Sequence, residues 1–415
     1  MSKFIIQGGA KLSGKVKVSG AKNSALKLIA ASIMAGSAST IHNVPRIKDI
    51  EKIEQIIEKS GANVTVEGNS VTVDPTSINS HVLDKDLSEK IRASIVLAGP
   101  MLARFGEVTI YQPGGDLIGA RKIDDHLDIF RQFGIKTEID GEKYTLTGKP
   151  KGSEIILPKI SVTATENAIM LATLAKGTSN IHAAAAEPEI KDLTDYLNSM
   201  GAKITNNGHD IEIEGVKTLS GAEHTTISDR IEAGTYLIMA LATNSEIEIE
   251  NVNKNHLSLV LKILKDAGAN FEINEDSIKT KKHTGLGSMD IDTRTYPGFP
   301  TDLQSVYAVY STQTDGSTRI FETLFESRFG YIKELKKMNA NINIESPHIV
   351  YVFGPDKLTG TSISSSDIRG GAALILAALL AEGTTKIDNI EQIERGYEKI
   401  DQKLRDLGVS IEKEG

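Results

Sequence analysis

The sequence predicts an α/β (α+β) fold of two domains, each an inside-out α/β barrel of three repeats in which buried helices are surrounded by sheets. Three observations carry this expectation. A helix-to-strand stop recurs six times along the 415 residues. The helix that opens each repeat is apolar on nearly every side, which marks a core helix rather than a surface one. The strands that follow alternate apolar and polar residues, the pattern of a sheet with one solvated face.

The stops read Gly61-Ala62-Asn63-Val64, Gly134-Ile135-Lys136-Thr137, Gly201-Ala202-Lys203-Ile204, Gly268-Ala269-Asn270-Phe271, Asn339-Ala340-Asn341-Ile342 and Gly408-Val409-Ser410-Ile411. They lie 67 to 73 residues apart, so six repeats of about 69 residues account for the chain. Gly after a helix supplies the left-handed residue that ends it, and Asn is the best substitute. One such stop means only a loop; six at near-constant spacing mean repeated architecture.

Within a repeat the order is a core helix, a strand, an amphipathic helix, then one or two closing strands. Core helices are expected at Ala25 to Ala35, Ala93 to Arg104, Ala164 to Ala175, Ala233 to Ala242 and Gly371 to Ala381. Glu246-Ile247-Glu248-Ile249-Glu250 shows the strand alternation, and Asn255 to Ala267 carries an apolar stripe at Leu257, Val260, Leu261 and Leu264.

Bulk composition bounds the function. With 40% hydrophobic and 25% charged residues the chain is ordinarily globular. A net charge of -8 argues against broad nucleic-acid binding. The absence of cysteine excludes disulfides, thiolate metal sites and thiol nucleophiles. Residues 1–8 lack an apolar signal core, and the longest apolar run, Ala372 to Ala381, is too short for a bilayer. A cytoplasmic protein without membrane insertion, monomeric by default, is the expectation.

Polar residues crowd the starts of the six core helices: Lys22-Asn23, Arg92, Ser161 to Glu166, Asp229-Arg230, Thr301-Asp302 and Asp367-Ile368-Arg369. A buried helix start exposes unpaired N–H groups and the positive dipole end, which attract anions. Carboxylates such as Asp229 and Asp367 are then either plain caps or functional groups. Cations there are locally unfavourable. Lys22, Arg92, Arg230 and Arg369 therefore either converge on a polyanionic ligand or pair with neighbouring carboxylates. The segment 112–122, with Gln112-Pro113-Gly114-Gly115-Asp116-Leu117-Ile118-Gly119-Ala120-Arg121, reads as a mobile loop able to close over a ligand, or as a plain surface turn. It matches neither a phosphate-binding Walker loop nor a dinucleotide fingerprint.

Eight motifs in order complete the reading: Ser19-Gly20-Ala21-Lys22-Asn23, Pro113-Gly114-Gly115-x-x-x-Gly119-Ala120-Arg121, Glu187-Pro188-Glu189, Asp229-Arg230-Ile231-Glu232-Ala233-Gly234-Thr235, Phe299-Pro300-Thr301-Asp302, Phe325-Glu326-Ser327-Arg328-Phe329, Asp367-Ile368-Arg369 and Glu394-Arg395-Gly396-Tyr397. Together they resemble the UDP-N-acetylglucosamine 1-carboxyvinyltransferase family of enolpyruvyl transferases from end to end. The resemblance implies one domain of residues 1–20 plus 229–415 and a second of 21–228, with the active site in the cleft between them. It implies transfer of the enolpyruvyl group of phosphoenolpyruvate to the 3-hydroxyl of UDP-N-acetylglucosamine, opening peptidoglycan precursor synthesis, with neither metal nor cofactor. Lys22, Arg121 and Arg395 would hold the donor's phosphate and carboxylate. Asn23, Arg92, Lys159, Ser161, Val162, Asp302, Leu324 and Arg328 would contact the sugar nucleotide. Asp302 would take the hydroxyl proton, and Asp367 and Arg369 would position or protonate the reacting groups.

Four positions depart from the family pattern. Asp116 stands where most relatives place the Cys that fosfomycin alkylates, which implies fosfomycin resistance and leaves Asp116 as a candidate acid. Lys122 replaces a usual proline, Ala186 a usual arginine and Tyr296 a usual histidine, so affinity for the sugar nucleotide is less constrained than reaction class. Two alternatives stay open: the sister transferase that uses shikimate 3-phosphate, and a silent paralogue that binds a UDP-sugar.

Overall fold

The computed structural model of the chain describes residues 2–116, 118–120 and 122–415. It divides into two compact units, one of Met1–Ser19, Asp116–Ala120 and Ser228–Gly415, the other of Gly20–Gly115 and Arg121–Ile227. Among the described residues the strands form six sheets, three in each unit, on a single plan.

The sheet around Thr178–His182 shows the plan. Glu154–Ile156 runs parallel to it on one side, while Asp210–Glu214 and then Lys203–Asn206 add antiparallel on the other. Register sets Ile155, Ile181 and Ile211 side by side, and all three are buried. Strand alternation thus turns one apolar row inward and leaves the charged row in water. Four more sheets repeat this order. In the sheet of Glu107–Tyr111, Lys143–Thr147 and Lys136–Asp140, an isolated parallel bridge from Val82 to Thr109 stands where the others have an edge strand. These parallel edge strands precede the core helices and escape a reading by alternation, because most span only two or three residues.

Each unit closes on itself through distant pairings. In the first, Lys3–Gln7 lies antiparallel to Thr384–Asp388 and to Ile411–Glu414. In the second, Glu223–Thr225 runs parallel to Ser39–His42.

Inside the sheets lie the core helices Lys22–Ser32, Val162–Thr173, Arg230–Ala242, Thr301–Ser311 and Ile368–Leu380, buried along almost their whole length. Each fully buried Leu or Ile on them contributes about 1.5–3 kcal/mol. The remaining core helix departs from expectation. It begins as a 3-10 turn, Arg92–Leu97, and becomes α-helical only at Ala98–Phe105. Pro100 has no N–H to donate to the preceding turn. The Gly99 N–H instead donates to Asn167 Oδ1 at 2.8 Å, and Asn167 Nδ2 donates to the Ile95 carbonyl at 2.9 Å. One side-chain amide therefore bridges the broken step of the helix ladder. Among the described residues no helix is long and apolar enough to cross a membrane.

All six helix stops adopt the left-handed conformation, with φ from 69° at Asn339 to 104° at Gly201. A second left-handed site follows the central strand of four sheets, at Asn43, Ala183, Asn251 and Asn389, with φ from 54° to 62°. The three asparagines each donate their amide to a backbone carbonyl just before a core helix: Thr226, Val18 and Ser365. Their partner residues Thr226, Val18 and Ser365 each donate an N–H to the last residue of that central strand, as Leu157 does to His182. Leu157 is thus the equivalent acceptor position beside Ala183.

Ala183 holds the strained conformation without the side-chain bond its counterparts make. Left-handed backbone costs an L-residue roughly 1–2 kcal/mol, less for Asn. Ala183→Asn is expected to raise stability by about 1 kcal/mol and the midpoint by about 2–4 °C. Calorimetric melting checks this; an unchanged or lower midpoint would contradict it.

Candidate active site

In the second unit three core helices meet near their N-termini. Lys27 Nζ, in the second turn of Lys22–Ser32, stands 3.3 Å from Glu166 Oε1, in the second turn of Val162–Thr173. Burial pushes the Glu166 carboxyl up to about 8, against the pull of Lys27. Asn167, one residue on, ties the same helix to the start of the third. His126 Nδ1 accepts from the Asn167 amide at 2.9 Å, which leaves its Nε2–H to donate to Thr163 Oγ1 at 3.1 Å. Burial, with Arg92 adding to it, lowers the His126 imidazole to about 3, so it stays neutral in this role.

Around these ends lie the predicted ligands. Lys22 is the first residue of its helix, and its Nζ meets Asp49 Oδ2 at 2.8 Å. A Cβ on Gly20 would fall 1.7 Å from the Asn43 carbonyl, so only Gly admits the close approach before Lys22. Asn23 is half-buried beside Lys22. Arg92 opens the 3-10 turn and donates from Nη2 to the Lys122 carbonyl at 3.0 Å. Ser161 is the N-cap residue of Val162–Thr173, yet its side chain makes no capping bond. Ser161 and Val162 are half-buried, while Lys159 is exposed and reaches Asp125 at 3.0 Å. Arg121 lies outside the described residues.

The first unit repeats the convergence. Asp229 and Asp367 prove to be helix caps: Asp229 Oδ1 accepts from Ile231 N and Glu232 N, and Asp367 Oδ1 from Arg369 N and Gly370 N, at 2.8–3.0 Å. Such caps are worth about 1 kcal/mol each. Asp302, in the first turn of Thr301–Ser311, occupies the centre. Its Oδ1 accepts from Arg328 Nη2 at 2.7 Å, and its Oδ2 from Arg369 Nη2 at 2.9 Å and Nε at 3.1 Å. The Arg328 and Arg369 side chains are 3% and 5% exposed, whereas Asp302 keeps 27%. Two buried guanidinium groups thus present one carboxylate to solvent. Burial opposes the charge on Arg369, but Asp302, Tyr397 and Asp229 outweigh it and raise its pKa. Arg328 therefore sits behind Asp302 as its holder, with a further 3.4 Å bond to the Thr301 carbonyl.

Arg395 ends the 3-10 turn Ile390–Arg395 and donates from Nη1 to Asp116 Oδ1 at 2.5 Å and to Gln392 Oε1 at 2.8 Å. Asp116 acts here as an acceptor, the part of a carboxylate. The loop glycines serve close packing as well as turning: a Cβ on Gly119, at φ 148°, would meet the Glu326 carboxylate at 2.5 Å. Leu324, 39% exposed, follows Glu322. Arg230 places its guanidinium over the Tyr296 ring, 5.6 Å from its centre. Lys122 is exposed and Ala186 half-buried.

Several organising residues were not singled out in the sequence. Glu322, wholly buried, accepts from Thr293 Oγ1, Thr301 Oγ1 and the Leu324 and Phe325 N–H groups, so it fixes both the Asp302 helix and the Leu324 loop. Glu232 accepts from Ser19 N at 2.8 Å and Lys403 Nζ at 2.5 Å, and holds the chain at Ser19. Asp49 belongs with them. Apart from the Leu324 and Phe325 N–H groups beside Glu322, their partners lie 21 to 213 residues away, a separation no local pattern encodes, although Glu232 falls within a quoted motif.

The profile of the EPSP synthase (3-phosphoshikimate 1-carboxyvinyltransferase) family matches residues 6–404. The UDP-N-acetylglucosamine 1-carboxyvinyltransferase of Halothermothrix orenii is 44% identical over 415 residues, covering 100% of both chains. That of Campylobacter hominis is 43% identical, covering 98% of each. Among solved structures, the enolpyruvyl transferase NikO from Streptomyces tendae superposes with a TM-score of 0.90 at 24% identity, over 99% of this chain and 98% of that one. EPSP synthase from Acinetobacter baumannii gives 0.77 at 18% identity, over 100% of both. These two establish the enolpyruvyl transferase fold, and the full-length identity above 40% settles the branch: the chain belongs to the UDP-N-acetylglucosamine 1-carboxyvinyltransferase family.

Proposed function

We propose that this protein transfers the enolpyruvyl group of phosphoenolpyruvate to the 3-hydroxyl of UDP-N-acetylglucosamine and releases phosphate, the first committed step of peptidoglycan precursor synthesis in the cytoplasm. The observation that carries the reading is the 44% identity, over 100% of both chains, to a transferase named for this acceptor. The family profile bears the name of the sister enzyme, but a solved EPSP synthase shares only 18% of residues with this chain.

The chemistry follows from the residues. The hydroxyl oxygen bonds to C-2 of the donor while C-3 takes a proton, and C-2 develops oxocarbenium character on the way. Loss of phosphate from C-2 and of a C-3 proton then restores the double bond. Asp302 accepts the hydroxyl proton; Arg328 and Arg369 fix both of its oxygens, so one orientation is pre-set before substrate arrives. Lys22, Arg121 and Arg395 neutralise the donor's phosphate and carboxylate and the departing phosphate. Asn23, Arg92, Lys159, Ser161, Val162 and Leu324 hold the sugar nucleotide, and the half-buried, side-chain-uncapped start at Ser161 suits an anionic group. Asp116 supplies or relays a proton, and Asp367 keeps Arg369 in place by capping its helix.

Acceptor choice tests the function. Phosphate release from phosphoenolpyruvate is expected with UDP-N-acetylglucosamine and not with shikimate 3-phosphate; the reverse preference would establish the sister activity, and release with neither would leave a binding paralogue.

Asp302→Asn should bind the sugar nucleotide within a few-fold of the natural protein and lose about 100- to 10,000-fold in kcat. Near-natural turnover would remove Asp302 from the base role. Fosfomycin should leave no covalent adduct, because the chain has no cysteine and a carboxylate opens the epoxide poorly. Asp116→Cys should gain time-dependent inactivation. Mass spectrometry decides, and an adduct on the natural protein would refute resistance.

A further inference from the structure

The ion pair between Asp116 and Arg395 joins two residues that the proposed function uses separately. Arg395 Nη1 donates to Asp116 at 2.5 Å, and the side chains are 11% and 12% exposed, so water screens the contact little. Gln392 takes a second bond from the same nitrogen. The carboxylate has a charge and a planar pair of oxygens like those of a carboxylate or phosphate donor group. It occupies the guanidinium that the donor needs.

The segment holding Asp116 is seated by other bonds. Ser327 N–H donates to the Ile118 carbonyl at 3.1 Å, and Ala120 N–H donates to Glu326 Oε1 at 2.7 Å. The Ala120 bond also holds the Glu326 carboxyl below its ordinary pKa, so this tether persists at neutral pH. Asp116 is therefore held beside Arg395 by its neighbours, and removing its charge does not by itself unseat the segment.

We propose that Asp116 is an internal competitor for Arg395, an anion built into the chain that the donor displaces when it binds. This rests on the donor-binding role proposed for Arg395. The exchange trades one charge-assisted hydrogen bond for another, so it lowers donor affinity without abolishing it. A cysteine at the same place would leave Arg395 without this competitor.

The test is a calorimetric titration of phosphoenolpyruvate into acceptor-free protein, where no turnover intervenes. Asp116→Asn keeps size and removes charge; it is expected to bind phosphoenolpyruvate about tenfold more tightly than the natural chain. Arg395→Gln should bind it at least about tenfold more weakly, and Asp116→Asn added to Arg395→Gln should bring no further gain. Equal or weaker binding by Asp116→Asn would overturn the competition. The same gain in the Arg395→Gln background would overturn it too, by showing that Asp116 repels the donor without acting through Arg395. Natural affinity in Arg395→Gln would instead overturn the donor role on which the inference rests.

Discussion

Core helices without a polar face constrain everything else in this molecule. Ile368–Leu380 and its counterparts are buried along both flanks, so sheets must cover them on every side. The only places where such a helix can meet water or a ligand are its ends. In each unit the helices are tied together near their N-termini, by Lys27–Glu166 and Asn167 in one and by Asp302–Arg369 in the other. Backbone N–H groups and positive dipole ends therefore gather where the polar side chains are. That is a physical reason for an anion-binding chemistry to arise on this fold without a metal-binding or nucleotide-loop motif.

The cations at these helix starts answer to two descriptions at once. Lys22 and Arg369 at helix starts, and Arg395 at the end of a 3-10 turn, each have a carboxylate partner, Asp49, Asp302 and Asp116. The pairing that the sequence left open as the plainer alternative is thus present at Lys22 and Arg369. It does not remove the functional reading, because a cation held beside a helix start without substrate needs a counter-ion. The three pairs differ in what the partner does. Asp49 meets Lys22 alone, Asp302 is held by two arginines and is the base in the proposed reaction, and Asp116 is the proposed competitor. Burial distinguishes them: Asp49 is nearly inaccessible, whereas Asp302 keeps contact with solvent.

Periodicity and stop residues made the repeats legible. Gly61 and its five counterparts announced both the helix ends and their left-handed geometry, because few residues tolerate that conformation. The core helices were legible because apolar residues on every side have one physical meaning. The short parallel edge strands were not, since Ile291–Asp292 is too brief for alternation to register. The 3-10 start at Arg92 turned on Asn167, 68 residues from Gly99, and no local signal encodes that bond. Asp229 and Asp367 were legible as helix-start carboxylates, but only geometry showed that both cap their helices. Arg328 sat in a quoted motif, yet its place behind Asp302 depended on a 26-residue separation closed by folding.

In the proposed reaction the chain joins an enolpyruvyl group to the 3-oxygen of UDP-N-acetylglucosamine. The most direct measurement is carbon-13 NMR of the products formed from phosphoenolpyruvate labelled at C-2 in the presence of the sugar nucleotide. A labelled vinyl ether carbon coupled through oxygen to the sugar C-3 is expected, with one phosphate released per ether formed. Labelled pyruvate, an ether at another oxygen, or unchanged phosphoenolpyruvate would contradict it.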